Sequence, residues 1–334
     1  MNLPVLCKEL KSNTLQRLAF LIGAKQDTKK ALRIKNIQER FTLFHALSQT
    51  VPTNHANEIT ITSVDTGVVN CAVASMTIAA GPGSLPRLNY WKKWNLESQF
   101  LGVGQSLTLS PQLTSMVTGA LVAQLLRDPG IEGTTLFTIE KQRARTVSSR
   151  VVSDPILKLN IVEHLLYDKL GGHGAIESSD PARMTKFWIP QELLKQEQEG
   201  AKFNSKRARM DLVKAMVFQG NPGLLTLSDP IDKQIQEYQT PSGESKGSRR
   251  GRMPRLFDAL QLQEPMNGAR KDDDLADSLL HALAWSQWYK TYNELNQLLM
   301  KSPLHSQLDE YIHRNYEQWQ GLLMNQLQQK IIKN

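Results

Sequence analysis

Carboxylates stand at three separated places in this chain of 334 residues. Asp65 follows the strand-like run Ile59-Thr-Ile-Thr-Ser-Val64 and precedes Thr66-Gly67-Val-Val-Asn70. Glu140 ends a second apolar run, Leu136-Phe-Thr-Ile139, and Asp272, Asp273, Asp274 and Asp277 open a helix-like segment that continues through Trp285. Hard divalent cations take oxygen ligands, and Mg²⁺ is commonly held by a few carboxylates together with phosphate oxygens. A pair of such ions can clamp the attacking and leaving oxygens of a phosphodiester displacement. At about 100° per residue, Asp273 and Asp274 lie within roughly 40–60° of Asp277 around a helix, so one helix start can present two carboxylates to one point. Each acid alone has a structural explanation. Asp-x-Gly after a strand is an ordinary turn, Glu140 could pair with Arg143 or Arg145, and aspartates cap helix N-termini and suit their dipole. The order of all three, with basic residues interleaved, favours one shared site.

Composition points the same way. The formal net charge is +8 and the pI is about 9.4, which favours polyanionic partners through counterion release from phosphates. A hydrophobic content of 40% suffices for a large core. Cys7 and Cys71 form no CxxC pair, so the chemistry expected is not that of zinc. No apolar run is long enough to span a membrane. The N-terminus lacks a secretory apolar region, and Glu9 and Asp27 interrupt any transit-peptide pattern.

The elements that must position the acids are legible in outline. Residues 3 to 50 read as short helices, from Leu15, Leu18 and Ile22 and then Leu32 and Ile37, with Gly23 as a stop and Lys25, Lys29, Lys30, Arg33 and Lys35 close behind. That pattern is similar to a SAP-like helical DNA-binding module. An amphipathic cap on the main domain explains it equally well. Residues 51 to 58 read as a polar connector. Ile59–Asp65 and Val68–Ile78 read as a hairpin, Leu88–Leu96 as a third strand, and Thr134–Glu140 as a short central strand. Helices are expected over Pro111–Arg127, Ile156–Leu170, Ser205–Gln219, Asp272–Asn293 and Gln307–Ile332. Residues 220–270, rich in Pro, Gly and Ser and carrying Lys246, Arg249, Arg250, Arg252 and Arg255, read as a mobile basic loop. Strands, helix, central strand and more helices predict an α/β fold with a mixed sheet flanked by helices. The domain expectation is a helical segment over 1–50, a main α/β domain over 51–300 with the basic insertion at 220–270, and a C-terminal helix over 301–334.

Three motifs together, Ser63-Val-Asp65-Thr-Gly67-Val-Val-Asn70, Ile139-Glu140-Lys-Gln142-Arg143-Ala-Arg145 and Asp273-Asp274-Leu-Ala-Asp277-Ser278, resemble those of the fungal mitochondrial Holliday junction resolvases. These are cruciform-cutting endonucleases distantly related to bacterial RuvC. The resemblance spans roughly residues 59 to 290. It implies a ribonuclease-H-like fold, a homodimer, mitochondrial location in matrix or nucleoid, Mg²⁺ with Mn²⁺ able to substitute, and paired nicking of opposed strands in four-way DNA. By motif position it makes Asp65, Glu140 and Asp277 metal ligands and catalytic residues, with Asp273 or Asp274 as the fourth acid. It gives Gln142, Arg143 and Arg145 contacts to the junction backbone, and Lys25, Lys29, Lys30, Arg249 and Arg250 are further expected DNA contacts. The family tends to carry lysines directly before its Asp-Asp pair, whereas Asp272 stands here and Lys271 lies one residue further off. Competing readings are another ribonuclease-H-like nuclease acting on flaps or hybrids, a non-catalytic architectural DNA-binding protein, and a basic α/β domain whose C-terminal helix, with Leu308, Ile312, Tyr316, Trp319 and Leu323, meets protein partners.

Overall fold

The structure is a computed structural model and describes residues 7–50, 58–79, 83–102, 105–142, 153–200, 203–240, 254–262, 272–301 and 304–331. Two helices lead, α1 (Ser12–Leu21) and α2 (Lys30–Thr50). Three strands follow, β1 (Glu58–Asp65), β2 (Cys71–Ala79) and β3 (Arg87–Trp94), then α3 (Leu96–Phe100), α4 (Pro111–Arg127) and β4 (Leu136–Glu140). The second half contains α5 (Asp154–Leu170), β5 (Ala175–Ser179), α6 (Pro181–Trp188), α7 (Gln191–Gln198), α8 (Ser205–Gln219), β6 (Thr226–Leu227), α9 (Asp229–Gln239), α10 (Leu256–Ala259), α11 (Asp273–Met300) and α12 (His305–Ile331). The strands form one mixed sheet in the order β5-β4-β1-β2-β3-β6. β1, β2 and β3 are antiparallel neighbours, while β4 lies parallel to β1, β5 to β4, and β6 to β3.

Both faces of the sheet are covered. Val64, Val73, Phe137 and Ile139 pack under α4 and α5 with Leu121, Leu125 and Leu166. Ile59, Ile61, Ala74 and Met76 pack under α11 with Leu279, Leu283 and Trp285. Apart from Asp277, the run Leu275 to Trp285 is buried, as a helix with apolar residues on nearly every side must be. Its far side is covered by the N-terminal helices and α12. Phe44 meets the rings of Trp285 and Tyr289 at centroid distances of 6.2 and 5.7 Å, and the Arg40 guanidinium lies 4.2 Å over the Trp285 ring. Gly23 stops α1 at a φ of +64°, and a Cβ there would stand 2.2 Å from Trp288, so only glycine fits both the left-handed turn and the close approach. The N-terminal helices thus belong to the same core as the sheet.

The sequence places the first four strands and most long helices within a few residues. The 220–270 stretch is different. Its part from 226 to 239 is not a loop: β6 and α9 lie there, with Pro230 in the first turn of α9 and Ile231 and Ile235 buried one turn apart. Two isoleucines among eleven mostly polar residues gave too little periodicity to outweigh the composition. Arg249 and Arg250 lie outside the described residues, as do Arg143, Arg145 and Lys271. β5, α6 and α7 went unread because Ala-Ile-Glu-Ser-Ser and the short segments after it show neither alternation nor a long apolar stripe.

Candidate active site

Strand alternation fixes which side each acid faces. Ile59 and Ile61 join the core beneath α11 and Val64 the opposite one, so Asp65, four residues after Ile61, faces α11. On β4, Leu136 lies under α11 and Ile139 opposite, so Glu140 faces α11 as well. Val64 pairs with Ile139 in parallel register, which makes Asp65 and Glu140 lateral neighbours one step on. Asp65 pairs with Ala72, Ala72 with Lys93, and Glu140 with Ser179. A row therefore crosses five strands on the α11 side: Ser179, Glu140, Asp65, Ala72, Lys93. The small Ala72 keeps the row open between the acid pair and the lysine. The β1–β2 connection turns tightly at Gly67, where a Cβ would stand 2.6 Å from the Asn70 carbonyl oxygen.

The N-terminus of α11 lies over this row. Lys93 Nζ donates to Asp274 Oδ2 at 2.7 Å, and the lysine side chain is 2% exposed. Asp277 Oδ1 is 3.0 Å from a terminal nitrogen of Arg209, and Asp273 pairs with Lys206. Lys206 and Arg209, three apart on α8, reach the same helix start. Asp272 plays another part. It is 6% exposed in its side chain, takes Lys214 Nζ on Oδ2 at 2.6 Å and accepts the Phe257 N–H on Oδ1 at 3.1 Å. It fastens α8 and α10 to the start of α11 and is committed to structure.

Electrostatics confirm the convergence of the other acids. Burial pushes the Asp65 carboxyl well above the usual range, followed by the charge of Glu140, a side-chain hydrogen bond with Glu140, and the charges of Asp274 and Asp277. Two carboxyls can share a hydrogen bond only with a proton between them. Burial raises Asp277 to about 6 against the opposing pull of Arg209. Asp274 is raised by burial although Lys93 opposes it. Asp273 behaves oppositely: its burial is outweighed by the hydrogen bond and charge of Lys206, which hold it below the usual value.

These groups suit a divalent cation by their chemistry: hard oxygen donors on three elements, mutually repelling and partly dehydrated, which is costly without a positive partner. Among the described residues no three acidic, histidine or cysteine side chains already stand as a ligand cage. The helix aspartates are instead turned to Lys93, Lys206 and Arg209. The Arg209 Nε is buried and has no hydrogen-bond partner, so this guanidinium has donor capacity to spare.

Beside Glu140 and Asp277 a cleft of about 650 Å³ is lined by Arg209, Gln142, Asp180 and His281. His281 is buried, with Nδ1 2.5 Å from Ser179 Oγ, which also accepts from the Trp285 indole at 3.1 Å. Gln142 is engaged within the chain. Its side-chain amide donates to Thr66 Oγ1 at 2.7 Å and its backbone N–H donates to Glu163 Oε2 at 3.0 Å, tying the segment after Glu140 to that after Asp65. Lys25, Lys29 and Lys30 are exposed around the α1–α2 turn, and the structure shows no contact from them to the acids among the described residues. Lys93, Lys206 and Arg209 were missed by the sequence reading. The only signals were the i, i+3 spacing of Lys206 and Arg209 and a lone lysine in an aromatic strand, and neither names a partner.

Residues 61–295 match the sequence family described as mitochondrial resolvase Ydc2 / RNA splicing MRS1, catalytic domain. The chain is 34% identical over 319 residues to the mitochondrial cruciform cutting endonuclease 1 of Saccharomyces cerevisiae, covering 89% of this chain and 87% of the relative. In three dimensions it is similar to the crystal structure of the yeast mitochondrial Holliday junction resolvase Ydc2, with a TM-score of 0.51 at 15% identity, covering 88% of this chain and all of the other. With a mixed sheet flanked by helices and acids from β1, β4 and α11 converging at its centre, the chain belongs to the Ydc2/MRS1 family of mitochondrial resolvases.

Proposed function

We propose that the protein is a divalent-metal-dependent endonuclease that resolves four-way DNA junctions by nicking opposed strands, and that it does so in mitochondria as a homodimer. The observation that carries this reading is the meeting of Asp65, Glu140, Asp274 and Asp277 from three elements, beside the basic residues Lys93 and Arg209. Burial above all raises the proton affinity of Asp65, Asp274 and Asp277, and such perturbed groups in a cleft cluster at functional sites. The intact acid set and the extensive identity to a cruciform-cutting relative favour a nuclease over an RNA-binding splicing protein, the other activity in the family's description.

Asp65, Glu140, Asp274 and Asp277 would hold Mg²⁺, and Asp273, turned to Lys206, would stay outside the set. When bound, the cation supplies an activated water and charge neutralisation at the phosphate. The chain's own groups do the rest. β1 and β4 hold Asp65 and Glu140 on a rigid sheet, so the first two ligands are placed before DNA arrives. Lys93 and Arg209 flank the acids, and the Arg209 guanidinium lines the cleft where a phosphate would lie. His281, Ser179 and Trp285 close the cleft beneath Glu140. Paired nicks follow from two such sites related by a two-fold axis. Backbone contacts supply affinity and shape selectivity.

The test is cleavage of an end-labelled immobile four-way junction against linear duplex, with and without Mg²⁺. Paired nicks on opposed strands of the junction, only with metal, are expected. Binding of the junction or of structured RNA with no cut under any metal would overturn the nuclease.

A further inference from the structure

A second depression lies on the other side of the acids from the Arg209 cleft, and nothing described so far uses it. It has a volume of about 390 Å³, within the roughly 300–1,000 Å³ typical of small-ligand pockets. Lys93 lines it at the end nearest Asp274. Its walls come from the end of β3, from α3, from α9 and from α10 with the residues just after it. β6 pairs with β3 only at Arg87 and Leu88, so the C-terminal half of β3 is left as an open edge here.

The lining has a definite chemistry. Trp94 gives a flat apolar wall, with the buried Phe257 beneath the floor, and four amides, Asn95, Gln99, Gln234 and Gln261, stand around it. No carboxylate lines it among the described residues, although carboxylates crowd the site next door. Asn95 uses Oδ1 to accept the N–H groups of Glu97 and Ser98 at 3.0 and 3.2 Å, so its NH₂ is what it can present to a ligand. Gln261 holds a φ of 51°, the only non-glycine at positive φ among the described residues, and such strain concentrates at ligand sites. An aromatic wall with amides at its margin suits one class of ligand in particular: an unstacked nucleobase, which needs a π surface for its face and paired donors and acceptors for its edge.

We propose that this depression takes a nucleobase of the cut strand, extruded next to the scissile phosphate, and that Gln99 and Gln234 read its edge. The proposal rests on the nuclease reading for its substrate. A strand whose phosphate lies at the acids has its next sugar and base within reach of the Lys93 end. Extrusion is least costly where pairing is already interrupted, as at the branch point. Amide side chains form bidentate pairs with base edges, and a well-made pair discriminates by roughly 5- to 100-fold.

The experiment uses the full chain and a set of four-way junctions that differ at one position at a time near the branch. Each position carries every base in turn, or a single 5-iododeoxyuridine for photocrosslinking. Wild type is expected to vary in cleavage rate by about 10-fold with the base at one position. In the double variant Gln99→Ala/Gln234→Ala, whose thermal unfolding checks folding, that range shrinks to within about 3-fold. In EDTA, iododeoxyuridine at the same position crosslinks to Trp94. Unchanged discrimination in the variant, or crosslinks that map elsewhere, overturns the pocket. Crosslinking to Trp94 without any cutting would uphold the pocket and discard the nuclease.

Discussion

The two halves of the acid cluster are built differently. Asp65 and Glu140 sit side by side on neighbouring strands of a sheet, while Asp273, Asp274 and Asp277 sit on one helix start, each with a cation from another element. The helix half is neutralised by lysine and arginine, while in the strand half burial and the charge of Glu140 raise the proton affinity of Asp65. A sheet fixes its residues laterally through many backbone bonds and can hold two like groups together. A helix start can tilt or fray, and cations from β3 and α8 hold it in place. A divalent cation would therefore compete with protons at one half and with counter-charges at the other.

The largest effect should come from breaking the strand half. Asp65→Asn is expected to lower junction cleavage by about 10³-fold or more, several kcal/mol of lost transition-state stabilisation. Junction binding should stay within a few-fold in a gel-shift titration, because phosphate contacts supply it. Next is Lys93→Met, which leaves Asp274 without its buried partner. It should destabilise by about 2 kcal/mol in urea unfolding, less than the ~3–5 kcal/mol of a fully buried pair because Asp274 is partly exposed. Adding Asp274→Asn should recover much of that loss.

The comparison also sets a pH dependence in EDTA. Asp65 and Asp277 have folded-state proton affinities raised above the unfolded aspartate value of about 3.9, Asp277 to about 6. The folded state binds the extra proton, so the Asp277 contribution is complete below about pH 4 and is lost as pH rises through about 6; Asp65 acts in the same direction. Asp277→Asn should flatten thermal stability across that window. Asp273 has the opposite sign, since its depressed value adds stability that disappears as pH falls below about 4. Saturating Mg²⁺ should restore stability most at the alkaline end, by mass action on the folded state. The smallest effect belongs to Lys206→Ala. Its lysine is exposed, so under about 1 kcal/mol is expected, vanishing at high salt.

Much of this was legible in the sequence, for physical reasons. Asp65 and Glu140 each end an apolar run, and a run of buried strand residues is a strong signal. The aspartates before Leu275 mark a helix start by type alone. The division of labour among four consecutive-looking aspartates was not legible. Asp272 is drawn to Lys214 and the Phe257 amide, Asp273 to Lys206 and Asp274 to Lys93, and these partners lie on α8, α10 and β3, whose placement only the tertiary fold decides. Gln142, expected at the DNA backbone from its motif, bonds Thr66 in the structure. The positions of Lys93 and Ala72 beside Asp65 follow from strand register, which depends on pairing that no local pattern reveals.

The most direct test of the shared site is single-turnover junction cleavage by Asp65→Asn, Glu140→Gln, Asp274→Asn and Asp277→Asn beside Asp272→Asn and Asp273→Asn. The account predicts that the first four lose cleavage by about 10³-fold or more with junction binding retained. Asp273→Asn should stay within about 10-fold of wild type, and Asp272→Asn should lose stability before it loses chemistry. An inactive Asp273→Asn beside a fully active Asp274→Asn would contradict it.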